Sequence, residues 1–214
     1  MVRTKGHTYE DEIKRLLQLK NLLPDDLENN DAGFIHNRKS FYVEVKNEKA
    51  PDYGAKKIIW NKTNRWHWNS EDKISDKFDE IKILGQINKF NPKKHSIVDT
   101  EITEEDKQSD RRKFEKSIPL LDDASYIYEY YAVKQCCYIQ IQGKGFYYLK
   151  QDITNLGVPQ FTPKINFIRL RAKTHGSVPV YNYSFRAVIQ ARRNSFETSD
   201  FDLEEIVGKF PLIK

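Results

Sequence analysis

Two acidic residues and a lysine near the start of the chain have the types and spacing of a metal-dependent phosphodiesterase centre. Between residues 40 and 46, apolar side chains at the odd positions alternate with Tyr42, Glu44 and Lys46, which predicts a half-buried strand. Glu44 and Lys46 then share one face of that strand, about 7 Å apart. Asp31 precedes them across a polar turn. Carboxylates hold Mg²⁺ through oxygen, and a nearby lysine can orient the attacking water and stabilise negative charge.

The context of Glu44-Val45-Lys46 distinguishes it from the other Glu-x-Lys tripeptides of the chain. The pattern occurs five times, and the other four copies lie in polar or helical surroundings where solvated charges are expected. Glu10 is a further candidate carboxylate, on a predicted amphipathic helix and next to its apolar face. The structural alternative is a surface hairpin on which Glu44 and Lys46 are ordinary outward charges. The hairpin sequence by itself leaves both interpretations open.

Two stretches of the chain are basic and contain no acid. Residues 153–196 lack aspartate and glutamate, and residues 53–70 combine lysines with three tryptophans, which we expect to be core residues. Such a stretch is typical of a phosphate-facing surface, although a charged sheet edge that prevents aggregation is the alternative. Arginine, asparagine and glutamine can also read base edges. The candidate DNA-contacting residues are Lys56, Lys57, Arg169, Arg171, Lys173, Asn182, Arg186 and Gln190.

The composition is that of a folded, basic protein outside the membrane. The chain has 214 residues, a formal net charge of +5 and 13% aromatic residues, and no apolar run long enough to span a bilayer. Its two cysteines are adjacent and cannot form a disulfide framework, so the expected location is a reducing cytoplasm. No glycine-rich phosphate loop occurs, and we therefore expect no nucleotide cofactor.

The order of the predicted elements indicates an α/β (α+β) fold with a central mixed β-sheet flanked by helices. We expect a single domain over residues 1–214. Residues 1–117 would form the catalytic core with its helices, and the β-rich residues 118–214 would complete the sheet and bind DNA. Residues 55–65 and 70–90 are predicted to be helical, and Gly143-Lys144-Gly145 predicts the turn of a hairpin.

The residues around the candidate centre resemble those of the PD-(D/E)xK nuclease superfamily. Asn30-Asp31 and Glu44-Val45-Lys46 follow an N-terminal helix that carries Glu10. Asn30 stands where the family signature has a proline. The opening Lys5-Gly6-x-x-Tyr9-Glu10-x-x-Ile13 is similar to the first helix of archaeal Holliday-junction resolvases. The chain length and the basic β-rich half look more like those of a type II restriction endonuclease.

This resemblance implies a restriction-endonuclease-like core and a role for each candidate residue. Asp31 and Glu44 would bind Mg²⁺, for which Mn²⁺ would substitute, Lys46 would orient the water, and Glu10 would assist. A homodimer would cut double-stranded DNA at a short specific sequence and leave 5′-phosphate and 3′-hydroxyl ends, since a two-fold protein matches a two-fold site. The alternatives are a structure-selective nuclease of the junction or repair type, and a DNA-binding protein without enzymatic activity.

Overall fold

A computed structural model of the chain describes most of its residues. These are residues 5–25, 27, 31–48, 52–61, 65–87, 105, 108–109, 112, 115–120, 124–175, 182–192 and 195–205. Within these ranges, the side chains of residues 5–7, 61, 165, 166, 173–175, 182 and 183 lie outside the description. The helices and strands are, in chain order, α1 (Lys5–Leu19), β1 (Ala32–His36), β2 (Lys39–Lys46), β3 (Asp52–Asn61), β4 (Arg65–Trp68), α2 (Lys73–Glu80), α3 (Ile83–Ile87), β5 (Lys116–Pro119), α4 (Ser125–Val133), β6 (Cys136–Ile141), β7 (Gly145–Tyr148), β8 (Ile165–His175) and β9 (Asn182–Ala191).

The chain divides into two compact units, each of which takes sequence from both halves. The first unit comprises Met1–Pro51, Ile127–Lys164 and Arg192–Lys214, and the second comprises Asp52–Tyr126 and Ile165–Ala191. This division differs from the expected arrangement of residues 1–117 followed by residues 118–214. The reason is strand pairing, because β6 joins strands from the start of the chain whereas β8 and β9 join β3.

The first unit is built on a four-stranded mixed sheet in the order β1-β2-β6-β7. The pairs β1/β2 and β6/β7 are antiparallel, whereas β2 and β6 run parallel. The apolar face of α1 packs with the sheet in one core, to which Tyr9, Ile13, Leu17, Phe34, Val43, Val45, Tyr138 and Phe146 all contribute. β2 is therefore an interior strand, with a neighbour on each side.

A tight turn sets the register of the β1–β2 hairpin. Asn37 and Arg38 have φ of 50° and 62°, the left-handed values that two-residue hairpin turns need. The paired residues run from His36 opposite Lys39 to Ala32 opposite Val43. Residue 31 consequently lies beside residue 44 at the far end of the hairpin.

The second unit contains a five-stranded antiparallel sheet in the order β4-β3-β9-β8-β5. One face of this sheet is apolar and buried, with Ile58, Trp66, Trp68, Ile168, Leu170, Phe185, Ala187 and Ile189. Burial of Trp66 and Trp68 confirms that these tryptophans are core residues. The predicted α/β (α+β) class is confirmed as a mixture of helices and strands, but the described residues form two sheets rather than one central sheet.

The helix predicted for residues 55–65 is wrong, because this segment forms most of β3. Ile58, Ile59 and Trp60 are β-branched or aromatic, and such side chains favour strands. The adjacent lysines hide the period-2 pattern that would have indicated a strand. Pairing with β4 on one side and β9 on the other makes β3 an interior strand.

Residues 70–90 form two short helices rather than one, as far as the structure describes them. Asp72 caps α2 by accepting hydrogen bonds from the backbone N–H groups of Ile74 and Ser75, each at 3.1 Å. Lys82 then adopts a left-handed φ of 56°, which separates α2 from α3. None of the helices among the described residues is both long and apolar enough to cross a bilayer.

Candidate active site

The β1–β2 hairpin brings Asp31 and Glu44 together. Because Ala32 pairs with Val43, Asp31 lies next to Glu44 where β1 begins. The backbone N–H of Val45 donates a hydrogen bond of 3.2 Å to Asp31 Oδ2. This bond fixes the Asp31 side chain against β2, and among the described residues no hydrogen bond reaches its other oxygen, Oδ1.

Glu44 is buried, with only 3% of its surface exposed. The alternating sequence pattern predicted a half-buried strand with Glu44 and Lys46 on the face opposite the apolar one, and the structure shows Glu44 buried there, on an interior strand. This burial disagrees with the alternative in which Glu44 is an ordinary solvated charge. A buried carboxylate is costly to hold unless cations and hydrogen bonds compensate for the lost water.

Two ammonium groups supply that compensation. Lys46 Nζ donates to Glu44 Oε1, and Lys134 Nζ donates to Glu44 Oε2 at 2.7 Å. Each oxygen of the carboxylate therefore has its own cation. The structure brings Lys46 to Glu44, as its position two residues along the strand suggests.

Sequence reasoning missed Lys134, which directly follows α4. It lies 90 residues from Glu44 and belongs to no motif. It reaches Glu44 because β6 begins two residues later and runs parallel to β2, with Cys136 opposite Tyr42. Only the pairing of these two strands could have identified Lys134, and parallel pairing leaves no local signal in a single sequence.

The surroundings move the pKa values of the two carboxyls in opposite directions. Burial, followed by repulsion from Glu44, raises the pKa of Asp31 to about 6, although Lys46 and Lys134 partly offset this rise. Burial also acts to raise the pKa of Glu44, but the two ammonium groups outweigh it and the net pKa is lowered. Glu44 is thus ionised at neutral pH, whereas Asp31 gains or loses its proton near pH 6.

Two uncharged side chains lie near Glu44: Tyr131 on α4 and Cys136 on β6. Tyr131 is fully buried, and its hydroxyl has no hydrogen-bond partner among the residues that the structure describes. Burial and the Glu44 charge raise its pKa well above the usual range, so the hydroxyl stays protonated. Burial and Glu44 also raise the pKa of Cys136 to about 12. This thiol is therefore neutral at physiological pH and cannot act as a thiolate nucleophile.

Glu10 is not brought to the site as a third carboxylate. It forms an ion pair with Lys14 at 2.6 Å, one turn along α1. Across the described parts of the chain, no three His, Cys, Asp or Glu side chains are grouped so that they could hold a metal. Glu10 is therefore not grouped with Asp31 and Glu44 among the described residues, and its assisting role stays a prediction. Its neighbour Tyr9 is buried, donates a hydrogen bond to Glu204 and accepts one from Gln140 at 3.1 Å.

Asp31 and Glu44 nevertheless suit a hard divalent cation. Carboxylate oxygens are its preferred donors, and Mg²⁺ is commonly held by one or two carboxylates while water and substrate phosphate complete its shell. Asp31 offers Oδ1, and Glu44 offers oxygens that already bind positive charge. The chemistry of this donor set fits the predicted Mg²⁺ in type, with two protein carboxylates rather than three.

The second unit carries three cations in register, on the side of the sheet opposite its apolar core. Arg186 on β9 pairs with Lys57 on β3 and with Arg171 on β8, and cross-strand partners share a face. We call these three residues the basic row. Lys57 and Arg186 are exposed, while Arg171 lies 3.3 Å from Asp52. Like charges directly opposite one another destabilise a sheet, so this row favours an anionic partner.

The other predicted DNA-contacting residues are placed differently. Arg169 flanks the row and pairs with Glu115 at 3.2 Å. Lys56 is 6% exposed and is held by Asp72 and Ser70, and Gln190 is also 6% exposed and donates to Asp52. Both are engaged inside the second unit, so neither suits the DNA contact predicted for it. The side chains of Lys173 and Asn182 lie outside the described residues.

Comparisons with known proteins give no relative for this chain: no family model, no curated protein and no solved structure matches it.

Asp31→Asn should stabilise the fold while it removes a candidate metal ligand. The raised pKa means that the folded state disfavours the Asp31 carboxylate, a penalty that is absent below about pH 4 and complete above about pH 6. Asparagine keeps an acceptor for the Val45 N–H without the charge. We expect a gain of about 1–3 kcal/mol in the free energy of unfolding at pH 7.5, and none at pH 3.5. Denaturant titrations at the two pH values measure it, and an equal or lower stability at pH 7.5 would contradict it.

Proposed function

We propose that this protein is a Mg²⁺-dependent endonuclease that hydrolyses phosphodiester bonds of double-stranded DNA at a short specific sequence, as type II restriction endonucleases do. The observation that carries the proposal is the set of two carboxylates and two ammonium groups around β2, in which Glu44 is buried and each of its oxygens accepts from a lysine. We further propose that it acts as a homodimer in the cytoplasm, that Mn²⁺ can replace Mg²⁺, and that it leaves 5′-phosphate and 3′-hydroxyl ends.

The acidic pair would hold the metal. Mg²⁺, when bound by Asp31 and Glu44, supplies Lewis acidity and lowers the pKa of water. The hydrogen bond from Val45 to Asp31 Oδ2 holds one carboxylate in place. Glu44 lies on the interior strand β2, which holds the second carboxylate in place. Such rigid placement favours catalysis because little reorganisation is needed when the substrate arrives.

Lys46 and Lys134 would stabilise the negative charge that develops during the reaction. Lys46 lies at Glu44 Oε1 with its side chain about one-fifth exposed, so its ammonium group borders both the acidic pair and solvent. From this position it can orient a water molecule and stabilise the charge that develops on the phosphate oxygens. Burial acts to lower the pKa of Lys134, but the charge of Glu44 outweighs it and the net pKa is raised. This second ammonium group therefore stays protonated.

The basic row would bind the DNA backbone. Three cations in register across neighbouring strands would repel one another less once they neutralise phosphates, and counterion release adds to the affinity. The ladder of β8 and β9 holds Arg171 and Arg186 in register. This surface supports DNA as the substrate rather than a small phosphodiester.

Incubation of the purified protein with plasmid DNA tests the proposal. We expect Mg²⁺ or Mn²⁺ to produce discrete fragments whose ends map to one short sequence, and EDTA to abolish cutting. Cutting of branched DNA at no fixed sequence would instead favour the structure-selective nuclease. If the protein binds a panel of genomic DNAs without metal and cleaves none of them, the enzymatic proposal is refuted. The remaining alternative is then a DNA-binding protein without enzymatic activity.

A further inference from the structure

Lys134 occupies a position that a divalent cation would need. Its ammonium group lies 2.7 Å from Glu44 Oε2, on a carboxylate whose side chain is 4% exposed. Glu44 Oε1 is held separately by Lys46. Both oxygens of this carboxylate thus already carry a cation, and a metal that binds Glu44 must either share an oxygen with one of these ammonium groups or displace it.

Lys134 is the more easily displaced of the two lysines. Lys46 lies on the same strand as Glu44, two residues away, and remains its neighbour whatever its rotamer. Lys134 lies in the connection between α4 and β6, and its side chain is 28% exposed, against 19% for Lys46. Its contact with Glu44 can therefore open without any rearrangement of the sheet.

Tyr131 offers Lys134 a second contact. The Lys134 ammonium lies 5.7 Å from the centre of the Tyr131 ring, within the range of a cation–π interaction. That ring is fully buried and hence fixed in position. When the contact with Glu44 opens, this ring can still retain the ammonium group near the site instead of leaving it wholly to solvent.

We propose that Lys134 is a built-in competitor of the metal: it neutralises Glu44 in the metal-free protein and sets the concentration of divalent cation at which the site fills. This inference rests on the proposed function, since it assigns a regulation to the same site. The apparent affinity for a ligand falls in proportion to the fraction of molecules in which its position is free. If Lys134 occupies Glu44 Oε2 about nine-tenths of the time, the metal binds about tenfold more weakly than it otherwise would.

Metal binding without DNA tests this competition. We expect Lys134→Met to bind Mn²⁺ and Ca²⁺ at least about tenfold more tightly than the wild type in calorimetric titrations. Lys134→Arg keeps the charge and should bind within about threefold of the wild type. Because Glu44 loses one cation in Lys134→Met, the thermal midpoint of that variant should fall without metal and rise more steeply with Ca²⁺ than that of the wild type.

Lys150→Met is the matched control for net charge. Lys150 is exposed and pairs with Glu129 on α4 at 3.1 Å, so the substitution removes one positive charge from the same unit without touching Glu44. We expect its metal affinity to equal that of the wild type. Equal tightening in Lys150→Met and Lys134→Met would show a general charge effect and overturn the inference, as would unchanged or weaker binding in Lys134→Met.

Glu44→Gln separates this inference from the proposed function. If Glu44→Gln loses metal binding while Lys134→Met binds as the wild type does, the metal site stands and only the competition is refuted. If the wild type and all variants bind no metal, or if Glu44→Gln binds it normally, the metal centre itself is refuted and the inference with it.

Discussion

Lys46→Met should lower the rate of Mg²⁺-dependent DNA cleavage by about 10³-fold and leave DNA affinity unchanged. Lys46 is the ammonium group on the same strand face as Glu44 and borders solvent, so its loss removes the donor best placed to stabilise the charge of the transition state. Methionine retains most of the aliphatic stem, and Glu44 keeps its contact with Lys134. The fold should therefore persist. Single-turnover cleavage rates, together with DNA binding in Ca²⁺, measure the two effects.

Lys14→Met provides the comparison for this prediction. Lys14 also forms an ion pair with a glutamate in the first unit, at 2.6 Å from Glu10, one turn along α1, and both side chains are partly exposed. Exposed pairs of this kind contribute little, and we expect the cleavage rate to stay within about twofold of the wild type. Cleavage by Lys46→Met within about tenfold of the wild type would show that Lys46 is not the charge-stabilising residue.

The parts of the candidate site that a sequence can predict are those set by local structure. Asp31 and Glu44 meet because a two-residue turn and an alternating strand fix the register of one hairpin, and both signals lie within 16 residues. The buried face of α1 follows in the same way from helical spacing. In both cases the side chains that must meet are close in sequence, so one periodicity determines the contact.

The parts that could not be predicted depend on contacts that form only when the sheets assemble. Lys134 reaches Glu44 through the parallel pairing of β6 with β2. Lys56 was expected to contact phosphate. Its ammonium group instead forms an ion pair with Asp72, the residue that caps α2. A single sequence specifies neither contact, because each partner is an ordinary polar residue whose significance arises only when the sheet has formed.

Lys57→Met should weaken DNA binding and lower its salt dependence, and Arg186→Met should do the same. Both residues are exposed members of the basic row and pair directly across β3 and β9. Each lost phosphate contact should reduce the slope of log K against log salt by about 1. Relief of repulsion within the row should also raise the free energy of unfolding by about 0.2–1 kcal/mol. Anisotropy titrations at several salt concentrations, with denaturant unfolding in parallel, measure both quantities.

Lys56→Met is the matched control, because it removes the same charge from the adjacent position on β3. Lys56 is buried against Asp72, so its loss should lower the free energy of unfolding by about 1–3 kcal/mol and leave the salt slope unchanged. Neighbouring lysines should thus respond in opposite ways, because side chains alternate between the two faces of a strand. A salt slope that falls equally in Lys56→Met and Lys57→Met would indicate a diffuse charge effect and contradict a DNA-binding face defined by the register of β3, β8 and β9.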